Sequence, residues 1–96
     1  MACQIFYTED ALVDLEIILE YVRADNAPAA ERLGTALLAH VDLLRHFPRL
    51  GASVPSRPRL RKIIHTPVVV YYRLYDDKSV VEILHFWHGS RRDPVF

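Results

Sequence analysis

Apolar residues recur at helical intervals through the first half of the chain and in strand-like runs through the second, with a proline-rich stretch dividing the two. Cys3 to Tyr7 form a short apolar and aromatic run that reads as a strand. Thr8 then offers a capping hydroxyl, and Glu9 and Asp10 place two acids in a first helical turn, where the free amides favour them. Leu12, Leu15, Ile18, Leu19 and Val22 follow at spacings of three and four, which predicts an amphipathic helix running to about Arg23. Val13, Ile17 and Tyr21 make a second stripe, four apart, to be covered either by the next helix or by a partner.

Asp25-Asn26-Ala27-Pro28 breaks that pattern with about four residues of link, and Pro28 suits the first turn of a second helix because its missing amide would have had no acceptor. Ala30, Leu33, Leu37, Val41 and Leu44 carry the stripe of this helix, which must end near His46, before Phe47-Pro48. A short link implies an antiparallel helical hairpin. Residues 47 to 59, with Pro48, Gly51, Pro55 and Pro58, read as a connection without an element of its own. Leu60 to His65, Val68 to Tyr75 and Val80 to Trp87 are β-branched and aromatic and are separated by short turns, hence an antiparallel meander to which the N-terminal strand can add an edge. Val68 to Tyr72 is apolar on both faces, as a central strand requires. The expected fold is α+β: one domain, residues 1–96, with a two-helix hairpin on one face of a small antiparallel sheet.

Composition narrows the function classes. Half of the 96 residues are apolar (51%) and a quarter charged (25%), enough to build a core and incompatible with a disordered tail. The lone Cys3 excludes an internal disulfide, no apolar run approaches the length of a membrane span, and the first residues lack a secretory pattern, so a cytoplasmic location is expected. Net charge is zero. That balance argues against a life on bare nucleic acid, but it conceals a polarised chain. Residues 1–44 hold eight acids against two bases, and residues 45–96 hold ten bases against four acids. One part of the surface is therefore built to meet something anionic.

The order strand, helix hairpin, proline-rich link and meander comes with particular residues inside it. These are Asp14-Leu15, Ile18 and Tyr21-Val22 in the first helix, Asn26-Ala27-Pro28-Ala29-Ala30 between the helices, Phe47-Pro48-Arg49-Leu50-Gly51 after the second, Leu60-Arg61 and Val70-Tyr71-Tyr72-Arg73 in the meander, and His88-Gly89-Ser90-Arg91-Arg92-Asp93-Pro94 at its end. In this combination the chain resembles the RelE/ParE superfamily of type II toxins, and within it the ParE-like branch. The resemblance implies a toxin that inhibits DNA gyrase without being an enzyme. It also implies a cognate antitoxin, of ribbon-helix-helix type, whose C-terminal segment wraps the toxin and neutralises it. The alternatives within the superfamily are a RelE-like, ribosome-dependent endoribonuclease acting on messenger RNA and a non-toxic relative that only binds antitoxin.

Each reading has its own candidate residues. A ribonuclease needs a base for the 2′-hydroxyl, an acid for the leaving oxygen and cations for the phosphorane. His88, just after the last strand, with Glu82 six residues earlier on the same face of a regular strand, and Arg61, Arg73 and Arg91 as cations, would supply that set. Gyrase inhibition requires only a binding surface. Arg57, Arg59, Arg61 and Lys62 beside the first meander strand, with Arg91 and Arg92 at the far end, are expected to accept acidic antitoxin side chains and then to contact the target. The antitoxin's apolar residues would fill the open sheet face and the Val13-Ile17-Tyr21 stripe. The tail Asp93-Pro94-Val95-Phe96 would either pack back on the domain or reach out to the target. No cofactor is expected. No metal site is expected either: His85 and His88 point to opposite faces of a strand, and His40 and His46 lack a carboxylate-plus-histidine pattern.

Overall fold

A computed structural model describes residues 2–89. Its elements run β1 (Gln4–Tyr7), α1 (Glu9–Asp25), α2 (Ala27–Asp42), β2 (Ala52–Val54), β3 (Arg57–His65), β4 (Val68–Tyr75) and β5 (Val80–His88), with single 3₁₀ turns at Leu43–Arg45 and Asp76–Lys78. The five strands form one sheet in the order β1-β5-β4-β3-β2, so β4 is central, as its two apolar faces require. The sheet is mixed. β3, β4 and β5 are an antiparallel meander, but β1 lies parallel to β5, because α1 intervenes between β1 and everything that follows it.

Thr8 caps α1 as its position suggested: its hydroxyl accepts from the Ala11 amide at 3.1 Å and donates to the Ile83 carbonyl at 3.0 Å, so one side chain starts the helix and ties it to β5. The link between the helices is tighter than the sequence implied. Asn26 alone separates them, its amide closing α1 on Val22 O while its side chain accepts from Ala29 N to open α2. α1 buries Ala11, Leu15 and Ile18, and Leu12, expected inside, is exposed, because the small Ala11 takes the place nearest the sheet. Ala30, Leu37, Val41 and Leu44 are buried as expected, and the last three pack with Ile63, Val70, Tyr72, Ile83 and Phe86 from one face of the sheet. The stretch after α2 also differs. Ala52–Val54 pairs with β3 as a fifth strand, which three residues among prolines could not announce.

At the open end of this core the α2–β3 seam holds two imidazoles. His40 Nδ1 lies 3.0 Å from His65 Nδ1, with the rings edge to face. Such a contact needs one nitrogen protonated and the other not. Burial, and then the neighbouring His65, hold the His40 pKa below its ordinary 6.5. A histidine depressed in the folded state binds fewer protons there than in the unfolded chain, so its contribution is intact above about pH 6.5 and is lost as the pH falls towards the folded value. Thermal midpoints measured from pH 7.5 down to pH 5.5 should therefore fall more steeply for the natural chain than for His40→Gln. Parallel curves would remove the pair from the account of acid sensitivity.

Candidate functional site

The two faces of the sheet are unlike. Val81, Ile83 and Phe86 of β5, Val68, Val70 and Tyr72 of β4, and Ile63 of β3 face the helices and are buried. By alternation, Lys62, Ile64, Val69, Tyr71, Arg73, Tyr75, Glu82 and Trp87 face the other way. On that side Ile64 is well exposed, whereas Leu60 and Tyr71 are buried. The Tyr75 hydroxyl donates to Glu82 Oε1 at 3.0 Å, and the Arg73 guanidinium stands 4.8 Å from the Tyr75 ring centre. The bond to Glu82, and after it burial, raises the Tyr75 pKa. Glu82 is thus committed to a tyrosine and does not orient a histidine.

β5 is not regular. Tyr72 stands opposite Ile83 and Tyr71 opposite His85, which leaves Leu84 as an extra residue. This bulge inverts the alternation beyond it. Phe86 is back among the core residues and His88 shares its parity opposite Val68, so Glu82 and His88 fall on opposite faces and the expected pairing of the two is not formed. His88 is also the last residue of β5 itself, not a residue beyond it. The bulge instead brings forward a pair that sequence reasoning missed. β1 has ended by Tyr7, so α1 covers the edge of β5, and Asp14 Oδ2 lies 2.8 Å from His85 Nδ1 while accepting from the Phe86 amide at 3.3 Å. A strand position seventy-one residues downstream of a helix acid gives no spacing signal to find.

The basic residues divide as well. Arg61, opposite Tyr72, lies on the helix-facing side of β3, and Lys62 lies on the other with Tyr71. Arg57 and Arg59 are exposed. Arg61 is partly spent on the fold: its Nη1 donates to the Gly51 carbonyl at 2.7 Å. A groove of about 720 Å³ is lined by Arg57, Arg59, Leu60, Arg73, Leu84 and His85, and an adjoining hollow of about 470 Å³ adds Arg49, Arg61 and Asp76. Arg49 and Asp76 close one side of that hollow with an ion pair at 2.5 Å. The bulge residues and the arginines thus share one concavity. Arg91, Arg92 and the tail Asp93-Pro94-Val95-Phe96 lie outside the described residues. Among the described residues no three histidine, cysteine or acidic side chains converge as a metal site, and no helix is long and apolar enough to cross a membrane.

The Val13-Ile17-Tyr21 stripe is not covered by α2. These residues are 48%, 54% and 73% exposed, and they run along the flank of α1 nearest Asp14, opposite the side where Leu19 meets Gly34 of α2.

Residues 5–93 match the family described as the ParE toxin of type II toxin-antitoxin systems, parDE. No curated protein sequence matches. Among solved structures, the chain is similar to the chromosomal ParDE toxin-antitoxin system from P. aeruginosa, with a TM-score of 0.77 at 20% identity over 91% of this chain and 96% of that one. The toxin-antitoxin complex RelBE2 from Mycobacterium tuberculosis gives a TM-score of 0.70 at 20% identity, covering 92% of this chain and 99% of the other. A mutant of the E. coli toxin RelE in the free state gives 0.59 at 22% identity, covering 94% and 86%.

Proposed function

The chain belongs to the ParE toxin family of type II toxin-antitoxin systems, and from that membership we propose that it inhibits DNA gyrase through a binding surface and is held inactive by a cognate antitoxin. The observation that carries the choice of gyrase is the bulge at Leu84. It sends Glu82 and His88 to opposite faces, so the acid–base pair that a nuclease would have drawn from them is not assembled. What remains on one concavity is a row of guanidiniums with apolar Leu60 and Leu84 between them, a surface suited to grip without needing to react. The antitoxin, of ribbon-helix-helix type under this reading, would cover that surface and the α1 stripe through its C-terminal segment.

A second reading rests on a specific feature. Asp14 holds His85 by its Nδ1, and His85 lines the groove with Arg57, Arg59 and Arg73, so an oriented imidazole stands beside cations of the kind that stabilise a phosphorane. Under it the chain is a RelE-like ribonuclease of messenger RNA, with His85 in the role expected of His88. Expression without antitoxin separates the readings. Gyrase inhibition predicts filamentation and DNA damage with message levels intact, together with loss of supercoiling when the purified protein is added to gyrase. Rapid message depletion that is abolished by His85→Gln would sustain the nuclease instead. Unaffected growth would leave a relative that binds antitoxin without toxicity.

A further inference from the structure

The α1 stripe and the arginine groove are one continuous surface of opposite charge at its two ends. Asp14 sits next to Val13 in sequence and touches His85, and His85 lines the groove with Arg57, Arg59 and Arg73. At about 1.5 Å per residue, Val13 to Tyr21 spans about 12 Å, or a little over two helical turns. The acids Glu9, Asp10, Glu16 and Glu20 rim this stretch, all exposed. Arg23 pairs with Glu20, and among the described residues no cation is paired with Glu9, Asp10 or Glu16. Beyond Asp14 and His85 the sign reverses, because Arg57 and Arg59 are exposed and unmatched by any described carboxylate.

From this we infer that the antitoxin segment is bipolar: an amphipathic helix with Lys or Arg flanking apolar residues at i, i+4 and i+8 where it lies on α1, continuing into an acidic stretch where it enters the groove. The inference rests on the reading of the chain as an antitoxin-bound toxin and specifies the chemistry of that partner. A uniformly acidic segment would meet the acids of α1 with like charge, and so would a second copy of this chain laid α1 against α1. A bilayer rich in anionic lipid is disfavoured on the same ground. Only a segment whose charge changes sign midway satisfies both ends.

The test needs no knowledge of the natural antitoxin. One synthetic peptide carries Leu at every fourth position with Lys between them in its first half, and Glu and Asp around a single Leu in its second half. The comparison peptide has identical composition with the Lys and the acids exchanged. Fluorescence anisotropy against the full chain should show the first binding at least about tenfold more tightly, with the margin shrinking as salt rises. The double reversal Glu16→Lys with Arg59→Glu, both at exposed positions, should invert the order of the two peptides. Equal affinities, the opposite preference in the natural chain, or no binding of the first peptide would each overturn the bipolar segment. The parent reading is judged separately, by whether the protein co-purifies with the product of an adjacent reading frame. A complex with that product alongside equal peptide affinities would retain the toxin and discard the charge pattern.

Discussion

Leu37→Ala should destabilise the protein by about 3 to 5 kcal/mol, lowering the thermal midpoint of a domain of this size by at least ~12 °C. Leu37 is fully buried, at 0% exposure, between α1 and the sheet. Truncation removes the transfer free energy of three carbons and leaves a cavity, and its cost depends on how far the walls can close. They can close little here. At Gly34, one turn earlier on α2, the helices already touch, so that a Cβ there would stand 3.3 Å from Leu19 Cδ1. The close approach of the helices at that turn leaves them little room to fill the space, which places the expected cost in the upper part of the usual range. Leu38, the next residue, is 44% exposed, and Leu38→Ala should cost under about 1 kcal/mol. Chemical denaturation of both variants checks the assignment of faces on α2, since similar losses would mean that the helix presents a different side to the sheet.

The helix hairpin and the meander were legible because their signals are local. Spacings of three and four mark α1 and α2, and β-branched runs mark β3, β4 and β5, whatever lies around them. Features that depend on distant partners were not. β2 exists because β3 offers it hydrogen bonds, and the parallel placement of β1 follows from where α1 sends the chain. The candidate site failed at a single residue. Strand alternation assigned Glu82 and His88 to one face, and one bulged residue, Leu84, was enough to undo it. The same bulge created the Asp14–His85 contact, which belongs to no motif. Arg61 shows a related limit. Its charge was evident, but its guanidinium is partly engaged by the Gly51 carbonyl, and only the folded loop reveals this.

That loop is where the second large effect is expected. Gly51→Ala should cost about 3 kcal/mol, near the top of the range for overpacking, because an added Cβ would lie 2.6 Å from the Lys62 carbonyl oxygen and 2.8 Å from Tyr72 Cε1. Neither neighbour can yield. The first is backbone in the middle of β3. The second belongs to a ring that is fully buried and held at its far end, where the Tyr72 hydroxyl donates to Pro48 O at 2.7 Å and accepts from Gly51 N at 3.0 Å. Burial raises the pKa of the phenol more than the Gly51 amide and Arg61 lower it. Tyr72→Phe tests the same knot without a clash. It keeps the ring and strands a buried amide and a carbonyl, at about 1 to 3 kcal/mol. Both substitutions should also loosen Arg61, since its acceptor is the carbonyl of Gly51, and with it one wall of the basic hollow. The combined variant should cost less than the sum of the two, because removing the hydroxyl frees the ring to move away from an added methyl. Strict additivity in urea unfolding would mean that the clash is with β3 alone and that Tyr72 does not hold the loop in place.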